Sequence, residues 1–506
     1  MSAIIPDAVN TVEKRLSTGV AGLDDILAGG FPSNHLYLIE GDPGTGKTTI
    51  ALHFLLEGTR QGERGLYVTL SESKGELLGV AASHGWSLDG IRIFEMSPQG
   101  EDVQPEAQYT VFHPAEVELA DTVASVLKVV DEVQATRVVF DSLSELRMLA
   151  RDPLRYRRQI LALKRFFTGR NCTVLLLDDR TADKNDLQLQ SIAHGVILMQ
   201  NEDRDYGITR RRLEIRKLRG SKYREGYHDY TIATGGVQVF PRLVAAEHHN
   251  RKAHEVVSSG IQALDALLGG GLASGTSSLL MGPAGCGKTS VAVRYAYSWA
   301  LSGHKAAVFS FDETITTLLH RSAGLGIDLS PEIKAGRIQI QQVDPAEMGA
   351  GEFVHRIRKC VEDGVSLVVI DSLNGFFYAM SGEHSVMLQV HELVSFLDQM
   401  AVTMIMTMAQ HGFVGSNMNA PLDVSYVADT VLLFRYFEAG GAVRQAISVV
   451  KKRTGAHERS IRELSLGNGT IQVGEPLTQF EGVLTGVPKY VGGAADLAAR
   501  ADVKRK

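Results

Sequence analysis

The chain has 506 residues, 44% hydrophobic and 22% charged, with a formal net charge of -6 at pH 7. That length provides for two or three domains with separate cores, and the acidic balance argues against a dedicated nucleic-acid binder, whose domains are usually basic. The three cysteines, Cys172, Cys286 and Cys360, are too scattered for a disulfide framework; no apolar run reaches the roughly 18 residues of a membrane span, and the start "MSAIIPDAVNTVEKR" lacks the pattern of a secretory signal, so a cytoplasmic protein is expected.

The opening element is written twice. "STGVAGLDDILAGGF" begins at Ser17 and "SSGIQALDALLGGGL" at Ser258, an offset of 258 − 17 = 241. "GDPGTGKT" at Gly41 and "GPAGCGKT" at Gly282 keep that offset, 282 − 41 = 241. A period this long means two copies of one domain rather than a solenoid. Residues 1–245 are expected to form the first domain, 246–485 the second, and 486–506 a flexible tail. The join, 243–256, is polar and aperiodic. Its His248, His249 and His254 have no Cys or carboxylate at ligand spacing and read as a solvated linker, not a metal site.

Within the first copy, "HLYLIEG" (35–41) reads as a strand and "TTIALHFLLEG" as the helix after the glycine loop. Apolar runs at 65–70, 137–143 and 172–179 read as buried parallel strands. The second copy answers with 277–282, 306–311, 367–373 and 402–409. This alternation predicts an α/β protein of two tandem P-loop domains, each a mainly parallel sheet flanked by helices. The later segments "RRRLEIRKLRG" (210–220) and "RQAISVVKKR" (444–453) read as additional strands with basic ends.

Both glycine loops fit G-x-x-x-x-G-K-[ST]. Glycines let backbone N–H groups converge on phosphate oxygens, and the helix that follows points its positive end at the same anion. The first ATP site is therefore expected to use Gly41, Asp42, Pro43, Gly44, Thr45, Gly46, Lys47, Thr48 and Thr49, and the second Gly282, Pro283, Ala284, Gly285, Cys286, Gly287, Lys288, Thr289 and Ser290. Lys47 and Lys288 would reach the β- and γ-phosphates, and Thr48 and Thr289 would each offer a hydroxyl to Mg²⁺. Mg²⁺ needs a second anchor at a strand end; "VVFDS" supplies Asp141 and "VVIDS" supplies Asp371. Cys286 reads as a small filler.

The copies differ in the acids that would activate a nucleophile. "TLSES" carries Glu72 and "SFDET" carries Glu313, but the residue before each is Ser71 in one and Asp312 in the other. In an acidic pair one carboxylate raises the pKa of its neighbour, which then serves as base. Glu72, Asp312 and Glu313 are the catalytic candidates, and the first site, short of one acid, is expected to turn over slowly.

Two P-loop domains, each opened by a "GLDDILAGG"-like segment and closed by "KLRG" or "KKRTG", resemble the RecA/DnaB superfamily. With "FDSLSE", "IDSLNG", "HGWSLDGIRIFEMSP" and "GAHERSIREL", residues 14–475 resemble more narrowly the KaiC family of clock ATPases and autokinases. The resemblance implies a homohexamer in which ATP at one subunit is touched by cations of the next, here Lys217, Arg219, Lys451 and Arg453. It also implies two adjacent phosphoacceptor hydroxyls in the second domain. Aligned on "ADTVLLF", these are Ser425 and Tyr426, with tyrosine where the family's clock protein has threonine. Aligning "HGVILM" with "DTVLLF" puts Gln190 and Ser191 at those places in the first domain, which is then expected only to hydrolyse ATP. A KaiB-like partner on the first domain is implied too. The tail "GVPKYVGGAADLAARADVKRK" does not resemble the one that docks a KaiA-like partner.

The competing expectation is a DNA-dependent ATPase, which needs basic loops along a channel. Residues 404–434 hold no Lys or Arg, and "DDRTADKNDLQLQSIAHG" has more acids than bases, so nucleic acid is not expected. A nucleotide-locked scaffold with little turnover is the third alternative, suggested by Ser71.

Overall fold

The computed structural model describes residues 14–95, 114–150, 152–180, 188–203, 207–248, 255–379, 386–410, 426–467, 469–484 and 488–491. The chain divides into two compact units, Met1–Arg242 and Leu243–Lys506.

Each unit is built on a nine-stranded sheet. In the first, Leu36–Gly41 lies between Thr173–Asp179 and Gly195–Glu202, parallel to both. Arg137–Asp141, Gly65–Thr69 and Ile91–Glu95 continue the parallel part beyond Thr173–Asp179. On the other side Arg210–Leu218, Tyr227–Ala233 and Gly236–Phe240 are added antiparallel. The second unit repeats the plan around Ser277–Gly282, with Thr403–Ala409 and Thr430–Ala439 beside it and Ala442–Lys452 antiparallel next. The α/β expectation of two mainly parallel sheets flanked by helices is the fold observed.

Apolar residues on successive strand positions go to opposite faces, as the period of two requires. Tyr37, Ile39, Val139, Leu175 and Leu177 pack under the P-loop helix Lys47–Arg60. Leu36, Leu38, Val138, Phe140, Val174 and Leu176 face the other helical layer. Buried on both sides, these strands read as continuous apolar runs, which is why they were legible. Each fully buried aliphatic side chain contributes roughly 1.5–3 kcal/mol.

The duplicated opening segment is a small clamp. Asp24 accepts from the Ser17 hydroxyl at 2.6 Å and the Thr18 amide at 2.8 Å; Asp265 does the same for Ser258 at 2.6 Å and Ser259 at 2.9 Å. His248, from the predicted linker, packs edge-on against Phe396, while His249 and His254 lie outside the described residues. Among the described residues no helix is long and apolar enough to cross a membrane, and no group of three or more His, Cys, Asp or Glu is placed to hold a metal ion. The three cysteines are free and buried.

Candidate nucleotide sites

In each unit the glycine loop leaves the C-terminal end of the central strand and turns into a 14-residue helix. Gly46 and Gly287 cap those helices in the left-handed region, at φ 89° and 99°. L side chains rarely adopt those φ values, so glycine suits the turn that aims the amides, and a Cβ there would also press on Ile232 Cδ1 or Leu466 Cδ1, each at 2.6 Å. Tyr230 braces the first loop by donating to the Thr45 carbonyl at 2.7 Å.

The two lysines sit alike, with one difference. Lys47 Nζ donates to the carbonyls of Gly41 at 2.9 Å and Asp42 at 3.1 Å. Lys288 Nζ donates to Gly282 at 2.9 Å and Pro283 at 2.7 Å. Among the described residues Lys47 alone also meets a carboxylate, Asp179 Oδ1, at 2.8 Å. Beside Lys288 lies Cys286 Sγ at 3.7 Å; burial pushes that thiol up, which disfavours the reactive thiolate and suits a filler.

Thr48 Oγ1 donates to Asp141 Oδ2 at 2.9 Å, and Thr289 Oγ1 to Asp371 Oδ1 at 2.9 Å. Two hard oxygen ligands side by side, one of them anionic, fit a Mg²⁺ ion that keeps its other positions for water and phosphate. Burial pushes both carboxyls above their usual range, and the hydrogen bonds they accept oppose it. A bound cation adds to that opposition by favouring the ionised form. Each aspartate has a further donor that differs between units: Tyr67 Oη at 2.5 Å on Asp141, and Thr407 Oγ1 at 2.5 Å on Asp371.

The acids expected to act as bases have unlike surroundings. Asp312 and Glu313 line a cleft of about 520 Å³ with Lys288, Thr289, Ser290, Asp371 and Arg321. Each has its own partner. Asp312 accepts from Ser372 Oγ at 2.5 Å, and Glu313 is paired with Arg321 at 2.5 Å. Arg321 also donates to Ser290 Oγ at 2.6 Å. Its counterpart in the first unit is Val80, at 321 − 241 = 80. Glu72 has no such clamp. Its Oε2 is buried without a hydrogen-bond partner, and burial, then Asp141, then Glu76 push its carboxyl up.

The cation pairs lie elsewhere on each unit. Lys217 pairs in register with Val196, beside Leu38 of the central strand; Lys451 pairs with Val431, beside Leu279. Leu38 and Leu279 each precede the P-loop glycine by three residues, roughly 10 Å along a strand. The cations therefore sit towards the end of the sheet opposite their own P-loop. Lys217 donates to the Gln190 carbonyl, Arg219 to Ser191 O at 2.7 Å, and Lys164 to Ile192 O at 2.8 Å. Lys451 donates to Ala428 O at 2.7 Å. Arg453 reaches Tyr426 O at 2.9 Å and Asp429 Oδ1 at 3.2 Å. Burial, then the neighbouring cations, hold the Lys217 ammonium below its usual range.

Of the two expected phosphoacceptors, Ser425 lies outside the described residues; Tyr426 is 55% exposed. In the first unit Gln190 turns its amide to Glu40 Oε2 at 2.7 Å. Glu40 is mostly buried, and its counterpart is Met281.

Tyr67, Asp179, Arg321 and Thr407 are the site residues that sequence reasoning missed. Each belongs to one copy only, opposite Val308, Ala409, Val80 and Leu177 in the other. Comparing the two copies position by position, rather than seeking what they share, would have found them.

A family model described as the KaiC ATPase matches residues 16–244 and again 257–478. The chain is similar to the circadian clock oscillator protein KaiC of Parathermosynechococcus lividus, 27% identical over 491 residues that cover 94% of this chain and 88% of the relative. The oscillator protein of Parasynechococcus marenigrum is 29% identical over 495 residues, 94% of each chain. The circadian clock protein KaiC3 of a Synechocystis strain is 26% identical over 499 residues, covering 96% and 97%.

Proposed function

The chain belongs to the KaiC family of ATPases and binds ATP as that family does, and from this premise we propose a ring of six copies in which each ATP is gripped by the P-loop of one copy and the cations of the next. The placement of Lys217, Arg219, Lys451 and Arg453 away from their own P-loops carries the proposal: they are badly placed to serve their own nucleotide, which supports their serving a neighbour's. Cations supplied in trans neutralise the departing γ-phosphate, an effect worth roughly 10³–10⁵ in rate where an arginine finger has been removed. Catalysis then depends on assembly.

In each site Lys47 or Lys288 holds the terminal phosphates, and the pairs Thr48–Asp141 and Thr289–Asp371 hold Mg²⁺, which when bound offsets phosphate charge. Glu72 directs water in the first site. In the second, Asp312 or Glu313 takes the proton of an attacking hydroxyl, so that this site acts as a serine autokinase as well as an ATPase. Ser425 is the principal acceptor and Tyr426 the second. Both lie by sequence before Thr430, which pairs with Ser278 at the start of the central strand; that supports transfer between copies over transfer within one. About two added negative charges beside an interface would shift subunit packing. The relatives named as circadian clock proteins support the timing side of a timing or stress-signalling role; a cytoplasmic setting and a KaiB-like protein on the first unit are part of the proposal.

The test is incubation of the purified chain with ATP and Mg²⁺, followed by mass spectrometry and sedimentation, with K288A beside it. Phosphate on the peptide holding residues 425 and 426 is expected in the parent and not in K288A, with a nucleotide-dependent hexamer. An unmodified peptide in both removes the kinase, and a monomer at full turnover removes the ring.

A further inference from the structure

The first unit lacks the acid expected at position 71, yet its P-loop lysine is not short of carboxylates. Asp312, Glu313 and Asp371 gather at the second site. Glu72, Asp141 and Asp179 gather at the first. We propose that Asp179 replaces the missing acid as the second catalytic carboxylate of the first site. The inference rests on the reading of that site as one that hydrolyses ATP.

Asp179 ends the strand Thr173–Asp179 and pairs in register with Gly41, the first residue of the P-loop. At the matching place in the second unit, beside Gly282, stands Ala409. Oδ1 of Asp179 lies 2.8 Å from Lys47 Nζ. That ammonium is the group that meets the β- and γ-phosphates, so Asp179 lies one hydrogen bond from the atoms that hold the reacting phosphate. Its Oδ2 accepts from Ser144 Oγ at 3.4 Å, and Ser144 in turn shares a hydrogen bond with Ser142.

The serine after each strand-end aspartate thus leads to an acid. Ser372 donates straight to Asp312. Ser142, with Ser71 in place of that acid, connects through Ser144 to Asp179. Where Ala409 stands instead, the counterpart of Ser144 is Asn374, which bonds to the Ala409 backbone at 2.7 and 3.2 Å. One carboxylate has moved from one strand end to another while staying at the same P-loop.

In the step, water oxygen bonds to the γ-phosphorus and the bond from that phosphorus to the bridging oxygen breaks. ADP leaves with the electron pair, and one water proton passes to Glu72. Asp179, released when phosphate takes the Lys47 ammonium, accepts the other hydrogen of the water and fixes its line of approach.

A chain carrying K288A leaves only the first site to assay. D179N keeps the shape and removes the charge. Its kcat for ATP hydrolysis should fall roughly 100-fold, the scale on which a misplaced reactant is slowed, with KM moving less than about threefold. Adding S71D, which restores the acid where the second unit has it, should recover at least roughly tenfold of the loss. An unchanged or higher kcat in D179N overturns the inference, because Asp179 then only restrains Lys47. Loss of bound nucleotide, or a loss of rate that S71D does not recover, makes the residue structural and overturns it too. A K288A parent that hydrolyses no ATP is a different failure: it removes the reading of the first site before D179N is compared, and the inference falls with it.

Discussion

Arg321 donates to Glu313 at 2.5 Å while its other terminal nitrogen holds Ser290 at 2.6 Å, tying the catalytic loop to the P-loop helix. The position is Val80 in the first unit, where Glu72 has an unpartnered oxygen. The same glutamate is therefore clamped by an arginine in one copy and not in the other.

R321V in a chain that also carries K47A tests what the clamp does. A carboxylate held in one orientation loses less entropy in the transition state, and a displacement of about 1 Å can cost 10²-fold. Second-site kcat is expected to fall roughly 10- to 100-fold with KM nearly unchanged. A variant as fast as its parent would show that the pair does not position Glu313.

The pH dependence of the first site follows from Glu72. Its pKa is raised by burial and by Asp141 and Glu76. A base must be ionised to act, so lowering pH silences it, and a raised pKa moves that loss to higher pH than for an ordinary carboxylate. In the K288A chain, kcat/KM, which reports the free enzyme, should climb with pH through an acid limb above the usual glutamate value of 4.5. E72Q should lose that limb. A limb at or below the usual value in the parent would contradict the prediction.

Stability of the first unit depends on Arg137, fully buried at the start of its strand. It pairs with Glu63 at 2.5 Å and donates to the carbonyls of Ser17 and Phe54 at 2.8 Å each. Removing one partner of a buried pair typically costs 3–5 kcal/mol. With Glu63 16% exposed, R137A is expected near the lower end, about 3 kcal/mol. Urea unfolding in a W299F chain, where Trp86 alone reports, measures it; a midpoint within error of the parent would contradict it.

What the sequence made legible was what the duplication repeats. Lys47 and Lys288, and Thr48 and Thr289, are read twice at one spacing, 288 − 47 = 241, which follows from a strand, a loop and a helix whose lengths the fold cannot vary; Asp141 and Asp371, 371 − 141 = 230 apart, are legible instead from the repeated strand ends "VVFDS" and "VVIDS". The offset itself changes later. Tyr37 pairs with Gly195 and Ser278 with Thr430, so 278 − 37 = 241 becomes 430 − 195 = 235, because the intervening loops differ in length. Residues that complete only one site left no repeated signal. Asp179 comes from a strand 132 residues beyond Lys47, 179 − 47 = 132, and nothing local marks it as a partner. Arg321 reads as an ordinary helix cation until the fold brings it against Glu313. Pairing of each carboxylate with its own donor could not be foreseen from adjacency in "DET", since it depends on Ser372 and Arg321 from other elements.

The central claim is that one copy's P-loop works with the next copy's cations. Two chains, both with K47A so that only second sites count, test it by mixing. One also carries K288A and keeps its cations; the other carries K451A and R453A and keeps its P-loop. Each alone is expected to hydrolyse ATP poorly, and mixing with subunit exchange should raise turnover well above the sum of the two, because some intact P-loops then face intact cations. Turnover equal to the sum at every ratio, after exchange has been verified, would contradict the shared site.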